Sequence, residues 1–536
     1  MNTAEFLQIT SMVAPDKTAI LFEGRRFSYA DLNSRANKLA HALRSLGIKK
    51  GDPVGAMQVN CNEIVELYFA CAKLGAMFVP ISYRARDNEI KVIAEISSAK
   101  VMFAGLRYVP MIQGLKGSLK RVEHYISIEG DTTGFQEYEQ LISSFPDDDV
   151  LEDVSDEDVT ILMFTAGTTG TPKGVMLTYK SVSSFALNNV TPLDPEQTEK
   201  NILTVPLYHI AGLQAAITGV YGGRTMVIQR QFEAKAWMET VQAERCQRAM
   251  MVPTMLKQLM DHPDFKKHDL SSLEVITYGA APMPLEVIKR AIDEFPNTRF
   301  INAFGQTESA ATITALQPDD HDMRGLTGEA REKKMKRLSS IGRPLAGIEI
   351  RIVDEDGNEV PSGVPGEIVA RGEQVMKGYY GQEAETKRTI RNGWLFTGDL
   401  GYRDEEGYIF LSGRAKDLII RGGENIAPNE IEEVILKHPA VDDCAVIGLP
   451  DVDWGERVMA VVVKKKGAKV SEQEIIDFAR PHLASHKRPE AVVFTDELPR
   501  NVMGKVLKRD LREKYAPNTA GLPLSNQGAS NSSAKK

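Results

Sequence analysis

The chain has 536 residues, 42% of them hydrophobic and 26% charged, the composition of a globular protein long enough for three or four domains or sub-domains. A net charge of −8, from 65 basic and 73 acidic side chains, argues against a broad nucleic-acid face, where a basic excess is expected, but leaves room for a local basic pocket. The four cysteines, Cys61, Cys71, Cys246 and Cys444, form no CxxC pair and suit no zinc site. They read as buried thiols of a reducing compartment. There is no basic-then-apolar leader and no apolar run near the roughly 18 residues of a membrane span, so the expected location is cytoplasmic.

Near the N-terminus, FSYADLNSRANKLAHALRSLG predicts an amphipathic helix. Ser28 caps it, Asp31 stands where a capping box needs an acid, and Gly47 marks its end. Leu32, Ala36, Leu39, Ala40, Leu43 and Leu46 share one face. Short apolar strands then alternate with helices: VGAMQV, the helical NEIVELYFACAKLG, AMFVPI, and later ILTVPL, TMVIQ, AMMVP and EVITYG. That alternation predicts α/β layers with much parallel sheet. The basic run REKKMKRLSS, 331–340, reads as a solvated face rather than an anion contact. Past Gly342 the texture becomes β-hairpin, with turns at Asp356-Gly357 and between Pro361 and Gly366, and GYRDEEGYIFLSGR adds another hairpin. A smaller β/α unit follows over 417–515, and 516–536, rich in Ser, Asn, Gly and Ala, is expected to be disordered.

One stretch fits no packed element: TAGTTGTPKGV, Thr165 to Val175. The strand-like DVTILMF runs into it and the helix-like VMLTYKSVSSFALNNV leaves it. It is therefore expected to join a strand to a helix, aiming backbone N–H groups and a helix N-terminus at an anion. The hydroxyls add donors, and Lys173 adds a charge that reaches a phosphate. The Walker pattern GxxxxGK[ST] does not fit, because Pro172 and Gly174 occupy two of its key places.

The stretch resembles the signature loop of the adenylate-forming superfamily, [ST]SG[ST]TGxPKG, which includes acyl-CoA synthetases, adenylation domains of peptide synthetases and beetle luciferases. Ala166 stands where the usual Ser would be, a change expected to matter little to ATP. Six further segments follow in the family's order: VPLYHIAG (205–212), YGAAPMP (278–284), NAFGQTES (302–309), GWLFTGDLG (393–401), GRAKDLIIRGGENIAPNEIE (413–432) and PRNVMGKVLKRDL (499–511). The resemblance runs from about residue 10 to 515. It implies an α/β fold with a large N-terminal domain over 1–412, built of layered β-sheets with helices plus a β-rich sub-domain. A hinge at 413–416 and a small mobile α+β C-terminal domain over 417–515 would follow.

Adenylation joins a carboxylate to the α-phosphate of ATP and expels pyrophosphate, so an anion must approach an anion. Charge neutralisation and positioning carry such a reaction. The resemblance assigns Thr165, Gly167, Thr168, Thr169, Gly170, Thr171 and Lys173 to the ATP phosphates. Glu308, with Thr168, would hold Mg2+, and Thr307 would contact the α-phosphate or the metal. Tyr278, Gly279, Ala280, Ala281, Asn302, Ala303, Phe304, Gly305 and Gln306 would surround the nucleotide, with Tyr278 stacking on adenine. Asp399 would accept the ribose hydroxyls, Arg414 would reach the ribose, and Lys505 would act at the bond-forming centre.

In a second half-reaction the acyl group passes from AMP to a thiol after the small domain rotates about Lys416. Gly422 and Gly423 would then approach the site as part of a pantetheine tunnel, with His209 as its aromatic gate or, alternatively, a packed histidine. Trp454 would stack on the CoA adenine. Arg84, Lys487 and Arg488 are candidates for the CoA phosphates, with plain surface charge as the equal alternative. Tyr208, His209, Ala211 and Gly212 would line the acyl pocket. Its small, uncharged lining suggests an apolar acid: a medium- or long-chain fatty acid first, an aromatic or alicyclic carboxylate next. The implied reactants are ATP, Mg2+, coenzyme A and a small carboxylic acid, in a monomer or homodimer. A carrier-protein-loading module, a luciferase-like oxygenase and a non-catalytic nucleotide binder are the competing classes. Intact Glu308, Asp399 and Lys505 weigh against the last of these, and Trp454 with the glycine pair favours CoA as the acceptor.

Overall fold

A computed structural model describes residues 1–165, 172–452, 454–501 and 503–516. The chain packs as two compact units. The first holds Met1–Arg351, Val369–Thr397 and Gly407–Ile409, and the second Ile352–Ile368, Gly398–Glu406 and the chain from Phe410 onward.

Two large sheets build the first unit. Among the described residues one has nine strands, in the order Arg343–Pro344, Thr314–Leu316, Arg299–Phe304, Val275–Gly279, Arg248–Met251, Lys200–Leu203, Thr225–Ile228, Thr18–Phe22 and Arg25–Ser28. From Arg299–Phe304 across to Thr18–Phe22 every neighbour is parallel. The other has eight, in the order Gly378–Tyr379, Lys173–Thr178, Val159–Thr165, Met77–Ile81, Pro53–Met57, Val101–Gly105, His124–Ile128 and Gln136–Glu137. Helices fill the space between the sheets. Leu32, Leu39 and Leu43 of the helix Tyr29–Ser45 and Val65, Tyr68 and Phe69 of Asn62–Leu74 share one apolar cluster with Val54, Phe78 and Ile161 of one sheet and Ile20, Leu203 and Met226 of the other. The expected start of the first of these helices is present in detail. Ser28 accepts from the Asp31 N–H, and Asp31 accepts from the Ser28 N–H, which closes the capping box. All four cysteines are buried and free.

The second unit is centred on the long antiparallel pair Val441–Asp451 and Gly455–Lys464. Alternation along these strands buries both faces. Val446, Val458, Ala460 and Val462 pack on the helices Pro428–Ile435 and Glu472–Ala479, while Ala445, Ile447, Met459 and Val461 pack with Leu498 and with Leu511 of the helix Lys508–Tyr515. The unit also takes in 352–368 and 398–406, which precede the expected hinge at 413–416 in the chain. Among the described residues no helix is long and apolar enough to cross a membrane. The basic run over 331–340 falls largely on the helix Gly328–Arg337, which buries no residue, the solvated face expected of it.

One local expectation fails. The glycine-threonine stretch does not join a strand to a helix. The strand Lys173–Thr178 leaves it and pairs antiparallel with Val159–Thr165, and only then does the helix Tyr179–Asn189 begin, capped by Thr178. Val175, Met176 and Leu177 are β-favouring or apolar, and pairing on both sides of Lys173–Thr178 outweighs the helix propensity of the residues after it. The next helix therefore starts only at Tyr179, and Lys173 is carried by a strand.

Candidate active site

Within the first unit, three motif segments leave the C-terminal ends of parallel strands, where open α/β sheets place their ligands. The strand Val275–Gly279 ends in the YGAAP turn and Arg299–Phe304 ends in the FGQTE turn. They are adjacent and in register, with Tyr278 opposite Asn302 and Gly279 opposite Ala303. The strand Lys200–Leu203 leads to Tyr208 and His209, which precede the helix Ile210–Tyr221. Buried Asn60, missed in the sequence, pins this segment: its side chain donates to the Val205 carbonyl at 3.1 Å and accepts from the Leu207 N–H at 2.8 Å.

The turns at these strand ends are strained. Ala280 has φ +66, Ala310 φ +48 and Ala311 φ +97, a left-handed region that alanine occupies at a cost. Glycine handles the closest approaches. A Cβ on Gly279 would collide with the Ala303 carbonyl, one on Gly305 with the Ala311 carbonyl, and one on Gly212 with the backbone of Val205 and Pro206. Gly212, expected in the acyl pocket, and Gly279 and Gly305, expected around the nucleotide, thus let backbone meet backbone.

Glu308 sits on the short 3-10 turn Thr307–Ser309, half-buried, beside buried Thr307. The Tyr379 hydroxyl donates to its Oε1 at 3.0 Å, and the Met376 N–H donates to its backbone carbonyl at 2.8 Å. Tyr379 reaches it because Gly378–Tyr379 pairs with the strand that carries Lys173. Burial and then the Glu308 charge hold the Tyr379 phenol far above its ordinary value, so it remains a donor. The Lys173 ammonium lies 5.0 Å from the Tyr379 ring centroid and pairs with Glu385. Thr165 is the cross-strand partner of Lys173. Ala166, Gly167, Thr168, Thr169, Gly170 and Thr171 lie outside the described residues.

Tyr278 is not placed to stack on a nucleotide. Its ring is fully buried and its hydroxyl lies 2.8 Å from Nε2 of His321, whose Nδ1 lies 2.9 Å from the Gln317 carbonyl. Burial pushes His321 down to about 4, so it is neutral, and its two contacts fit a proton on Nδ1 and acceptance from Tyr278 at Nε2. Strand alternation gives the reason: Tyr278 points into the core between sheet and helix. Phe304, at the end of the neighbouring strand, is half-buried. Asn302 donates to the Ser340 carbonyl at 3.1 Å, while Ala280, exposed, and Ala281, half-buried, form the turn.

His209 caps the helix Ile210–Tyr221, its Nδ1 accepting from the Ala211 N–H at 3.3 Å. Burial pushes it down to about 4, so the ring is neutral. Tyr208 packs edge-on to Tyr83, with 5.3 Å between centroids, and the Arg84 guanidinium lies 5.9 Å from the same Tyr83 ring.

In the second unit, Asp399 is 5% exposed and paired with Arg414 at 2.7 Å. Burial raises its carboxyl, and Arg414 pulls it back only in part. Burial and then Arg414 press Lys505 down to about 8, against the pull of Asp399. The Lys505 backbone is fixed by Asn501, whose Oδ1 accepts its N–H at 2.9 Å. Lys416 is also lowered, by burial and then by Arg414. Asp417 beside it pairs with Arg512 at 3.2 Å.

Gly422 and Gly423, at φ +59 and +87, are the two central residues of the hairpin between Ile419–Arg421 and Glu424–Ile426, a turn that demands positive φ at both. Trp454 is 55% exposed. Its carbonyl accepts the Gly422 N–H at 2.8 Å, and a Cβ on Gly422 would stand 2.9 Å from its ring. Lys487 pairs with Glu430 at 2.7 Å and Arg488 donates to the Leu483 carbonyl at 3.1 Å, so both are engaged within the unit.

Family models match most of the chain. The model described as AMP-binding enzyme matches residues 7–380, and AMP-binding enzyme C-terminal domain matches 430–505. The chain belongs to the AMP-binding enzyme family. It is 32% identical to the indoleacetate–CoA ligase of Aromatoleum aromaticum, over 97% of this chain and 99% of that one. It is 34% identical to a long-chain-fatty-acid–CoA ligase of Mycobacterium tuberculosis, over 92% and 93%. A solved Mycobacterium tuberculosis fatty acyl CoA synthetase superposes with a TM-score of 0.77 at 32% identity, over 96% and 99%. Within the adenylate-forming superfamily the chain is an AMP-forming acyl-CoA synthetase, an acid–thiol ligase that uses ATP, CoA and a small carboxylic acid.

Proposed function

We propose that the acid is an apolar arylalkanoic or aromatic carboxylate, and that the residues gathered above divide the two half-reactions between them. The observation that carries the site assignment is the adjacency of the Gly279 and Ala303 strand ends, with Glu308 one short turn beyond. Lys173 and Thr165 face the phosphates from the hairpin mouth. Phe304 supports the adenine, and Asp399 and Arg414 hold the ribose. Lys505 neutralises the acid carboxylate and the α-phosphate oxygens as they are forced together.

The Glu308 carboxylate is a hard oxygen donor oriented by Tyr379, which suits Mg2+. Among the described residues no three His, Cys, Asp or Glu side chains converge on one point, so the ion would take its remaining oxygens from phosphate and water. When bound, it would supply charge to the departing pyrophosphate. His209, neutral, borders the thiol path without acting as a cation, and Trp454, Gly422 and Gly423 present a surface for the CoA adenine. Lys416 is the pivot between the two steps.

An aromatic acid comes first because the glycines of the pocket serve backbone contacts, while the edge-on Tyr208–Tyr83 pair brings aromatic rings beside His209 in the chain. A medium- or long-chain fatty acid is the second reading, favoured by the mycobacterial relative. A panel of aryl, arylalkanoic and fatty acids, read by pyrophosphate release and by thioester formed with CoA, tests both. The first reading fails if the fatty acids give the higher kcat/KM. The assignment as a whole fails if no acid gives AMP.

A further inference from the structure

The Lys173 ammonium, three-donor and part-buried, is already engaged. It pairs with Glu385, and the two side chains are only 14% and 23% exposed. Glu385 is shared in turn with Arg388, three residues on along the helix Glu383–Thr389, whose Nε donates to it at 3.0 Å. The Tyr379 N–H donates to Thr386 Oγ1 at 2.8 Å, which ties the helix to the edge strand paired with Lys173–Thr178. Arg388, Glu385, Lys173, Tyr379 and Glu308 thus form one chain of contacts, ending at the carboxylate read as the magnesium ligand.

A polyphosphate at Lys173 would bring a second anion to the ammonium that Glu385 already holds. Two anions close together in a part-buried site are poorly screened, so they compete. Glu385 has Arg388 as an alternative partner, so losing Lys173 leaves its carboxylate paired. We propose that Glu385 is the resting counter-ion of Lys173: the polyphosphate of ATP draws Lys173 away from it, and Glu385 takes the lysine back as pyrophosphate leaves. Glu385 is then a positioning residue that lowers the hold on pyrophosphate and speeds its exit. The inference rests on reading Lys173 as a phosphate ligand. Lys173 bonds to Glu385 pull the carboxyl of the latter below its ordinary range, as expected of a counter-ion.

Direct titration of the full-length enzyme with magnesium pyrophosphate and with a non-hydrolysable ATP analogue tests this, beside product inhibition of acyl-adenylate synthesis. Glu385→Gln is expected to bind both ligands roughly three- to tenfold more tightly, with pyrophosphate inhibition strengthened by the same factor. Arg388→Gln removes the alternative partner and is expected to weaken both about two- to threefold. In a Lys173→Ala background, adding Glu385→Gln should change nothing. Glu385→Gln binding pyrophosphate no better than the parent overturns the proposal, as does a gain that survives loss of Lys173 or an Arg388→Gln that tightens binding. If Lys173→Ala alone leaves both affinities at the parent value, the reading of Lys173 as a phosphate ligand falls, and the proposal with it. If Lys173→Ala weakens them while Glu385→Gln does not tighten them, only the proposal falls.

Discussion

Lys505 is protonated below about pH 8 and neutral above it, because burial and Arg414 outweigh the pull of Asp399. With Lys505 in the proposed role of neutralising the reacting anions, pyrophosphate release should fall as pH rises through about 8. Lys505→Arg keeps the charge far above that pH and should lose this alkaline limb, at some cost in rate from the different donor geometry. A limb at the same pH in Lys505→Arg would assign it to another group. His209, pushed down to about 4, adds no limb near neutrality. Glu308→Gln removes a hard anionic oxygen, so adenylation should fall and the magnesium concentration for half-maximal rate should rise. Tyr379→Phe should move the same way by a smaller factor, because it frees the carboxylate without removing it. A magnesium titration of both variants decides this, and unchanged metal dependence in Glu308→Gln would remove the residue from the metal site.

The elements that carry these residues are strained where they end, and the strain can be tested. Ala280 is exposed at φ +66, so Ala280→Gly relieves a backbone cost at the expense of a more flexible unfolded chain. Unfolding stability should rise by between 0 and about 1 kcal/mol, while KM for ATP rises because the turn is less fixed. A variant that loses stability would show that the Ala280 methyl makes a needed contact. Much at this scale was legible in the sequence. The Ser28 capping box and the strand–helix alternation both follow local pattern. The rest depended on partners distant in sequence. Lys173–Thr178 is a strand because Val159–Thr165 and Gly378–Tyr379 flank it, and nothing local announces the second of these. Tyr278 is buried because of where His321 lies, and alternation alone cannot say which face of a central strand meets a helix and which meets a ligand. Asn60, Tyr379 and Glu385 carry no motif at all, and only the folded chain brings them to the segments they hold.

For the molecule as a whole, the residues proposed for the two half-reactions fall in both units. Lys173, Phe304 and Glu308 belong to the first, while Asp399, Arg414, Lys416, Trp454 and Lys505 belong to the second. An enzyme that presents different faces of a small domain for its two half-reactions should let single substitutions separate them. Lys505→Ala should lose adenylation by about 10²–10³, the size seen when one charge-stabilising donor is removed. Given pre-formed acyl-adenylate and CoA, the same variant should still form thioester near the parent rate, because the mixed anhydride has a neutral carbonyl and needs no cation there. Lys416→Pro should do the reverse. Proline fixes φ within the 3-10 turn Ala415–Asp417, and a fixed pivot hinders rotation without touching the phosphates. That variant should release pyrophosphate in a single turnover and stall before thioester. Both steps need to be timed in both variants, by pyrophosphate release and by thioester formed from supplied acyl-adenylate. Equal damage to the two steps in each variant would mean that one fixed arrangement serves the whole reaction and that Lys416 is not its pivot.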